Sequence, residues 1–346
     1  MPDEASSDAG ATFTVPSLGR RQPSVRDAAV TMDERAYRAA EERLWSAIGV
    51  WPVERWLHLE RNDVDVRVQE IGEGPPILFI HGASTSGASW ASLVARFPGY
   101  RCIVLDRPGT GLSKPITRRI DATSLAEIAD TIVPDILDAL ELPSTNLVAA
   151  SFGGYIALRA AAATPERIDR MVHLSWPLGA PTERLPLSLR LMGLPGISRL
   201  MTSMPANQRS MRVLFRGLGH GPKLDDGRIT AEDLDCFLAL LRHTDTMRNE
   251  FAPARALISP LRGLQRLYLT DDTLSAVACP TLFVWGSHDP FGGEVTARAL
   301  VSRIPAAELE LMPGAGHTPW LDDMETCVRS VTTFLGRETS QPVVAA

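Results

Sequence analysis

The chain has 346 residues, 45% of them hydrophobic, and a formal net charge of −6. This content suffices for a buried core, and the acidic balance offers no basic surface for nucleic acid or anionic lipid. No segment holds the roughly eighteen uncharged apolar residues that a membrane-spanning helix needs, and the first thirty residues lack the apolar run of a secretory signal. We therefore expect a cytoplasmic protein with no nucleic-acid or membrane partner.

The first predicted elements are a tail, a helix and a hairpin. Residues 1–30 are rich in Ala, Ser, Asp and Pro, which is typical of a disordered tail. Thr31 and Glu34 resemble a capping box at the start of a helix over 31–48. Alternating valines then predict a hairpin over 56–68.

The central part of the chain alternates between strand-like and helix-like segments. A continuous apolar run at 76–80 indicates entry into a sheet covered on both faces. The alternation predicts the α/β class, a mostly parallel sheet with helices on both faces. Ser124 and Glu127 resemble a second capping box, and Pro134 predicts a kink. Further predicted strands are 102–105, 146–150, 171–175, 281–285 and 308–312, and further helices are 124–142, 153–163, 295–304 and 324–335.

The alternation is interrupted between Pro177 and about residue 276, where short segments rich in Leu, Met, Arg, Pro and Gly replace it. We predict an inserted, mainly helical cap here, with one clear helix near 231–242. The domain organisation is then a tail over 1–30, a core over 31–176 and 277–346, and a cap over 177–276.

The cap side chains allow two interpretations. Its apolar residues either form a pliable substrate pocket or pack the cap itself, and its arginines either meet an anionic substrate or solvate the surface. The apolar residues are Met192, Met201, Met204, Met211, Met247, Leu187, Leu189, Leu194 and Phe215; the arginines are Arg184, Arg190, Arg199, Arg209, Arg212 and Arg216. The four cysteines, by contrast, are expected to be reduced and buried: Cys102, Cys236, Cys279 and Cys327.

Ser151 lies where an apolar strand runs directly into a helix, in Asn146-Leu-Val-Ala-Ala-Ser-Phe-Gly-Gly154. A nucleophilic serine on such a sharp turn needs small residues two positions away, and Ala149 and Gly153 are small. The segment resembles the nucleophile elbow of α/β hydrolases, although glycine is usual where Ala149 stands. Taken alone, the segment is also compatible with an ordinary strand-to-helix turn.

A serine hydroxyl needs a base, and the base needs a group that orients it. The segment from Thr281 to Asp289 resembles the family's acid loop, and the segment from Met312 to His317 resembles its histidine loop. The chain order Ser, Asp, His is that of the family. We therefore predict Ser151 as nucleophile, His317 as base and Asp289 as its orienting acid. His288 is expected to be a loop histidine and His173 a satisfied core residue.

The segment Phe79 to Ser84 resembles the family's His-Gly loop. The resemblance implies that the backbone N–H groups of Ala83 and Phe152 form the oxyanion hole, with His81 structural. The loop from Asp106 to Ser113 resembles the next strand-end loop, and its Gly-x-Gly lacks the third glycine of a phosphate loop. The residues expected to contact substrate are Ser84, Trp176 and Phe291.

These motifs occur in order between Pro75 and about Leu335, and together they resemble a capped serine hydrolase of the α/β-hydrolase superfamily, in the branch of esterases, carbon–carbon bond hydrolases and cofactor-free haloperoxidase-like enzymes. The resemblance implies a small-molecule substrate and neither cofactor nor metal. Serine at the elbow argues against epoxide hydrolases and haloalkane dehalogenases, which use aspartate there. We expect hydrolysis of a small or medium apolar ester. Hydrolysis of a vinylogous diketone and a non-catalytic ligand receptor are the alternatives, and no feature predicts an oligomeric state.

Overall fold

An eight-stranded sheet lies at the centre of the protein. The computed structural model describes residues 32–182, 185, 187–202 and 206–337. The predicted tail and Thr31 lie outside these residues. The strands are β1 Val53–Leu59, β2 Val64–Ile71, β3 Pro76–Ile80, β4 Arg101–Leu105, β5 Thr145–Ala149, β6 Ile168–Leu174, β7 Thr281–Gly286 and β8 Ala307–Met312. Their order across the sheet is β1-β2-β4-β3-β5-β6-β7-β8.

Helices flank the sheet and fill the interval between β6 and β7. Outside that interval lie α1 Met32–Ala47, α2 Ala91–Val94, α3 Ala122–Ala139, α4 Phe152–Ala163, α13 Glu294–Val301, α14 Pro319–Asp322 and α15 Met324–Leu335. Within it lie α5 Leu187–Met192, α6 Ile197–Thr202, α7 Gln208–Gly217, α8 Gly221–Asp225, α9 Ala231–His243, α10 Thr246–Phe251, α11 Ala254–Leu257 and α12 Asp271–Ser275. We call residues 177–276 the cap.

The sheet is antiparallel only at its β1 edge, where β1 pairs with β2 and β2 with β4, and every later pairing is parallel. Successive residues of β3 point to opposite faces, so Leu78 joins a core with α3 and α4, whereas Phe79 joins a core with α1 and α15. Two cores on one sheet explain the continuous apolar runs of its parallel strands.

One predicted helix start is wrong. Helix α3 begins after Asp121, whose side chain accepts hydrogen bonds from the backbone N–H groups of Thr123 and Ser124. Ser124 is therefore the third helical residue, and its hydroxyl completes the capping box with Asp121 rather than starting one with Glu127. Pro134 lies inside the helix, and the kink stays a prediction.

Helix α1 is joined to the sheet by a buried polar network. The Arg67 guanidinium, 3% exposed, forms ion pairs with Glu41 of α1 and with Asp106 at the end of β4. Asp106 also accepts the backbone N–H groups of Gly87 and Leu112. A Cβ atom on Gly111 would lie 2.2 Å from Asp106 Oδ2, which explains the glycine in this loop.

All four cysteines are buried and unpaired, as predicted. No helix in the described part of the chain is long and apolar enough to cross a membrane.

Candidate active site

Ser151 occupies a strained turn between β5 and α4. Its φ of 52° and ψ of −114° place it in a region that non-glycine residues rarely adopt. Two glycines of α4 allow the helix to start so close to the sheet. A Cβ atom on Gly153 would lie 2.0 Å from the Ile80 carbonyl oxygen, and one on Gly154 would lie 1.6 Å from His173 Nε2. The turn therefore depends on small residues after Ser151, while Ala149 is buried within the strand.

Asp289 and His317 meet at the carboxyl ends of β7 and β8. His317 Nδ1 donates to Asp289 Oδ2 over 2.8 Å, because an ionised carboxylate can only accept. Asp289 also accepts the backbone N–H groups of Trp176, over 3.0 Å, and Phe291, over 3.0 Å. The carboxylate is thus held by three donors, and the histidine tautomer that it fixes leaves the Nε2 lone pair free to accept a proton.

The sequence prediction also requires a contact between the serine and the histidine. Among the hydrogen bonds of the described residues, none joins Ser151 Oγ to His317 Nε2, so that contact stays a prediction. The imidazole instead packs edge-on against Phe291, with ring centroids 4.7 Å apart. Catalytic hydrogen bonds often tighten only when substrate is bound.

The predicted oxyanion loop follows β3 and lies against Ser151. A Cβ atom on Gly82 would lie 3.1 Å from Ser151 Cβ. His81 is fully buried, and its Nε2 accepts the backbone N–H of Arg107 over 3.1 Å. Burial, together with the nearby Arg107 charge, lowers the pKa of His81 well below its usual value. His81 is therefore a neutral structural residue, as predicted, that fixes the loop carrying Ala83.

A cavity of about 210 Å³ opens at Ser151. Ala83 and Phe152 line it, so the predicted nucleophile and both predicted oxyanion donors share one cavity. Trp176 and Phe291, two of the predicted substrate contacts, stack at 5.1 Å in the same wall. Ser84 is not among the lining residues. The polar members of the lining are Arg107, Ser151, Asn249 and Glu250, and the rest is largely aliphatic and aromatic.

Sequence reasoning missed Arg107 and Glu250. The Arg107 guanidinium donates to the carbonyl oxygens of His81, over 3.0 Å, and Gly82, over 2.9 Å, and it forms an ion pair with Glu250. Arg107 directly follows Asp106 in the strand-end loop, so its position in a motif was a usable signal. Glu250 lies in the cap, where no pattern in the sequence singles it out.

The cap also contacts the histidine loop. The Leu218 carbonyl accepts the backbone N–H of His317 over 2.8 Å, and His220 Nε2 accepts that of Thr318 over 3.0 Å. His220 is fully buried, and its Nδ1 lies 2.9 Å from Asp322 Oδ2. A Cβ atom on Gly316 would lie 2.5 Å from the Leu218 carbonyl oxygen. The loop that carries His317 is therefore fixed from outside by the cap.

Most of the cap side chains singled out in the sequence lie away from the cavity. Leu189 lines it, whereas Met192 and Met211 are buried in hydrophobic clusters. Of the six arginines singled out in the sequence, the five that the structure describes are exposed: Arg190, Arg199, Arg209, Arg212 and Arg216. Packing of the cap thus accounts for these methionines, and solvation for these arginines. Arg184, Met204 and the Met201 side chain lie outside the described residues.

The two other histidines considered in the sequence differ in burial. His288 is exposed. His173 is fully buried beneath the elbow and stacks on Phe283 at 5.4 Å. Its place in the core is as predicted, although neither ring nitrogen has a partner among the geometric hydrogen bonds of the described residues. Burial lowers the pKa of His173 to about 3, and the residue is neutral.

Comparison with known proteins identifies the fold. A family model described as alpha/beta hydrolase fold matches residues 75–196. A 2-hydroxy-6-oxononadienedioate/2-hydroxy-6-oxononatrienedioate hydrolase from Cupriavidus pinatubonensis is 25% identical, over 82% of this chain and 95% of that protein. The chain has the α/β-hydrolase fold.

Two solved structures share this fold. Naproxen esterase from Bacillus subtilis superposes with a TM-score of 0.67 at 18% identity, covering 88% of this chain and 99% of the esterase. The 2-hydroxy-6-oxo-6-phenylhexa-2,4-dienoate hydrolase of Rhodococcus sp. strain RHA1 superposes with a TM-score of 0.69 at 17% identity, covering 83% of this chain and 100% of the hydrolase. The chain is thus similar both to an ester hydrolase and to dienoate hydrolases, and it is itself a hydrolase.

Proposed function

We propose that this α/β-hydrolase cleaves carboxylic esters of small or medium, mainly apolar substrates through an acyl-enzyme on Ser151. The observation that carries the proposal is the cavity at Ser151, because its described wall is apolar apart from four residues. Two of these four, Arg107 and Glu250, neutralise each other. A pocket of this kind favours an uncharged acyl chain, which gains binding energy from burial of apolar surface.

In the proposed mechanism, His317 Nε2 removes the Ser151 proton while Oγ attacks the ester carbonyl carbon. The backbone N–H groups of Ala83 and Phe152 donate to the oxyanion that forms. His317 then gives its proton to the leaving alcohol as the carbon–oxygen bond breaks. A water molecule, deprotonated by His317, releases the acid and restores Ser151. Asp289 keeps the imidazole oriented and stabilises its cation.

Hydrolysis of a carbon–carbon bond in a vinylogous diketone is the second candidate, because the relative from Cupriavidus pinatubonensis bears a name of that type. That name describes a substrate with two carboxylates. Among the lining residues that the structure describes, the cation is Arg107, and it is already paired with Glu250. We therefore rank the ester reaction first. The receptor alternative is not proposed, because the named relative is a hydrolase.

The first test is intact-mass analysis of wild type and Ser151→Ala after exposure to a fluorophosphonate. We expect a single adduct that is confined to wild type. An adduct on both proteins, or none on folded wild type, would contradict Ser151 as the activated nucleophile. Circular dichroism would verify that both proteins are folded.

The second test separates the two reactions. Values of kcat/KM would be measured for p-nitrophenyl esters of increasing acyl length and for a 2-hydroxy-6-oxohexa-2,4-dienoate. The proposal expects the esters to be preferred, with an optimum at a short or medium acyl chain. A preference for the dienoate, with a keto intermediate accumulating in Ser151→Ala, would reverse the ranking.

A further inference from the structure

Charge in the described part of the cavity wall is confined to one ion pair. Among the described lining residues, Arg107 is the cation and Glu250 the anion. Both side chains are buried, with 3% and 8% of their surface exposed. We propose that Glu250 is a specificity-determining residue that neutralises Arg107 and thereby restricts the active site to uncharged substrates. This inference rests on the proposed ester hydrolysis and names its substrate class.

The ion pair lies beside the predicted reaction centre. The Arg107 guanidinium stacks over the Phe152 ring, with its Cζ 4.4 Å from the ring centroid, and Phe152 directly follows Ser151. The same guanidinium donates to the carbonyl oxygens of His81 and Gly82 in the predicted oxyanion loop. An uncompensated charge on Arg107 would therefore interact with a charged group on any acyl chain bound in the cavity.

Glu250 has a second partner that fixes its carboxylate. One of its oxygens pairs with Arg107, and the other accepts the backbone N–H of Ser84. Ser84 follows Ala83, and its φ of 59° is unusual for a serine. A carboxylate held at both oxygens stays next to Arg107, so the cation is compensated before any substrate arrives.

This arrangement disfavours an anionic substrate. A substrate carboxylate could bind Arg107 only by displacing Glu250, which would leave an unpaired charge in a largely apolar cavity. Breaking a buried ion pair in this way is strongly unfavourable. A cationic substrate faces the same obstacle at Glu250. Because Glu250 lies in α10, the cap sets the charge preference of a site whose predicted catalytic groups lie in the core.

Three esters with the same six-carbon acyl chain test the inference: methyl hexanoate, monomethyl adipate and methyl 6-aminohexanoate. They end in a methyl group, a carboxylate and an ammonium group, respectively. Wild type should hydrolyse methyl hexanoate at least about tenfold better, in kcat/KM, than either charged ester. Equal values for all three would overturn the inference. If wild type hydrolyses none of them, the proposed ester activity fails.

Two variants should shift the preference in opposite directions. Glu250→Gln keeps an oxygen for the Ser84 N–H but frees the Arg107 charge, so the adipate-to-hexanoate ratio should rise about tenfold or more. Arg107→Gln leaves Glu250 unopposed, so the aminohexanoate-to-hexanoate ratio should rise instead. The double variant should return to the wild-type preference. Simple damage to the fold would lower all three rates and could not produce opposite shifts.

Stability and binding measurements complete the test. Thermal melting would establish that each variant is folded, and if one single variant is not, the other still tests the inference. Calorimetry would measure adipate binding to Glu250→Gln and to wild type, which tests for an uncompensated Arg107 charge without catalysis. Only the variant should bind adipate. Unchanged ester ratios in folded single variants, or equal adipate binding, would overturn the role of Glu250.

Discussion

The cap contacts the active site at two places, and the chemistry of the two contacts differs. At the histidine loop, the Leu218 carbonyl oxygen and His220 Nε2 accept backbone N–H groups. At the oxyanion loop, the cap contributes a charge, since Glu250 pairs with Arg107. Backbone hydrogen bonds fix a loop without adding charge to the cavity, whereas an ion pair also determines which substrates the cavity accepts. The first contact is therefore suited to positioning the base and the second to selecting substrate.

The largest effect is expected at Asp289, the residue that orients the base. Asp289→Asn should preserve the fold but reverse the histidine tautomer, because an amide can donate to Nδ1. We expect kcat to fall on the order of 10⁴-fold. Ester hydrolysis and thermal melting of the variant would be compared with wild type, and activity near the wild-type value would refute the orienting role of Asp289.

Removing the cap contact to the histidine loop should lower the rate less than Asp289→Asn does. His220→Ala removes the acceptor for the Thr318 N–H, so the loop that carries His317 should shift. Misplacement by about 1 Å costs on the order of 10²-fold in rate. The measurements are kcat and the rate of fluorophosphonate labelling.

Two further variants separate positioning from general instability. His220→Gln retains an acceptor and should recover part of the rate, while His288→Ala, at an exposed histidine, should leave the rate unchanged. A His220→Ala protein that melts early but is labelled at the wild-type rate would show a purely structural role.

The strands and helices of the core could be predicted from the sequence much better than the contacts between the cap and the active site. Strand β3 and helix α15 have the bounds expected from their apolar patterns, because both faces of the sheet and one face of the helix are buried. The start of α3 was misplaced because Ser124 can serve either as the first capping residue or, as observed, as the third helical residue paired with Asp121. Local patterns thus locate elements more reliably than they locate helix ends.

The predicted triad residues lie in loops that follow strands. Because the strands are parallel, these loops meet at one edge of the sheet. The structure joins Asp289 to His317 there, although they are 28 positions apart. Arg107 and Glu250 are 143 positions apart, and one of them lies in the cap. A pairing of that kind depends on how the cap packs on the core, and no periodicity in the sequence encodes that packing.

The pH dependence of stability tests whether His81, in the predicted oxyanion loop, is neutral in the folded protein. His81 stays neutral in the folded protein because burial and Arg107 lower its pKa, whereas the unfolded chain binds a proton below about pH 6.5. The free energy of unfolding is therefore higher above that pH and decreases as the pH falls. Between about pH 7.5 and pH 5.5, one such histidine removes about 1.4 kcal/mol from the free energy of unfolding.

His81→Asn should lack this part of the pH dependence. Urea unfolding of both proteins at the two pH values measures the difference, and His173, which is present in both, cancels. Equal losses in wild type and variant would mean that His81 takes up a proton in the folded state.

The smallest effect is expected at an exposed ion pair of the cap. Arg216 and Asp225 lie 2.6 Å apart, but about half of each side chain is exposed, at 51% and 57%. Arg216→Ala should cost roughly 0.5 kcal/mol or less in the free energy of unfolding, because solvent screens such pairs. The ratio of monomethyl adipate to methyl hexanoate hydrolysis should not change. A shift in that ratio would show that exposed arginines of the cap also select substrate. The selection of substrate charge could then not be assigned to the ion pair inside the cavity alone.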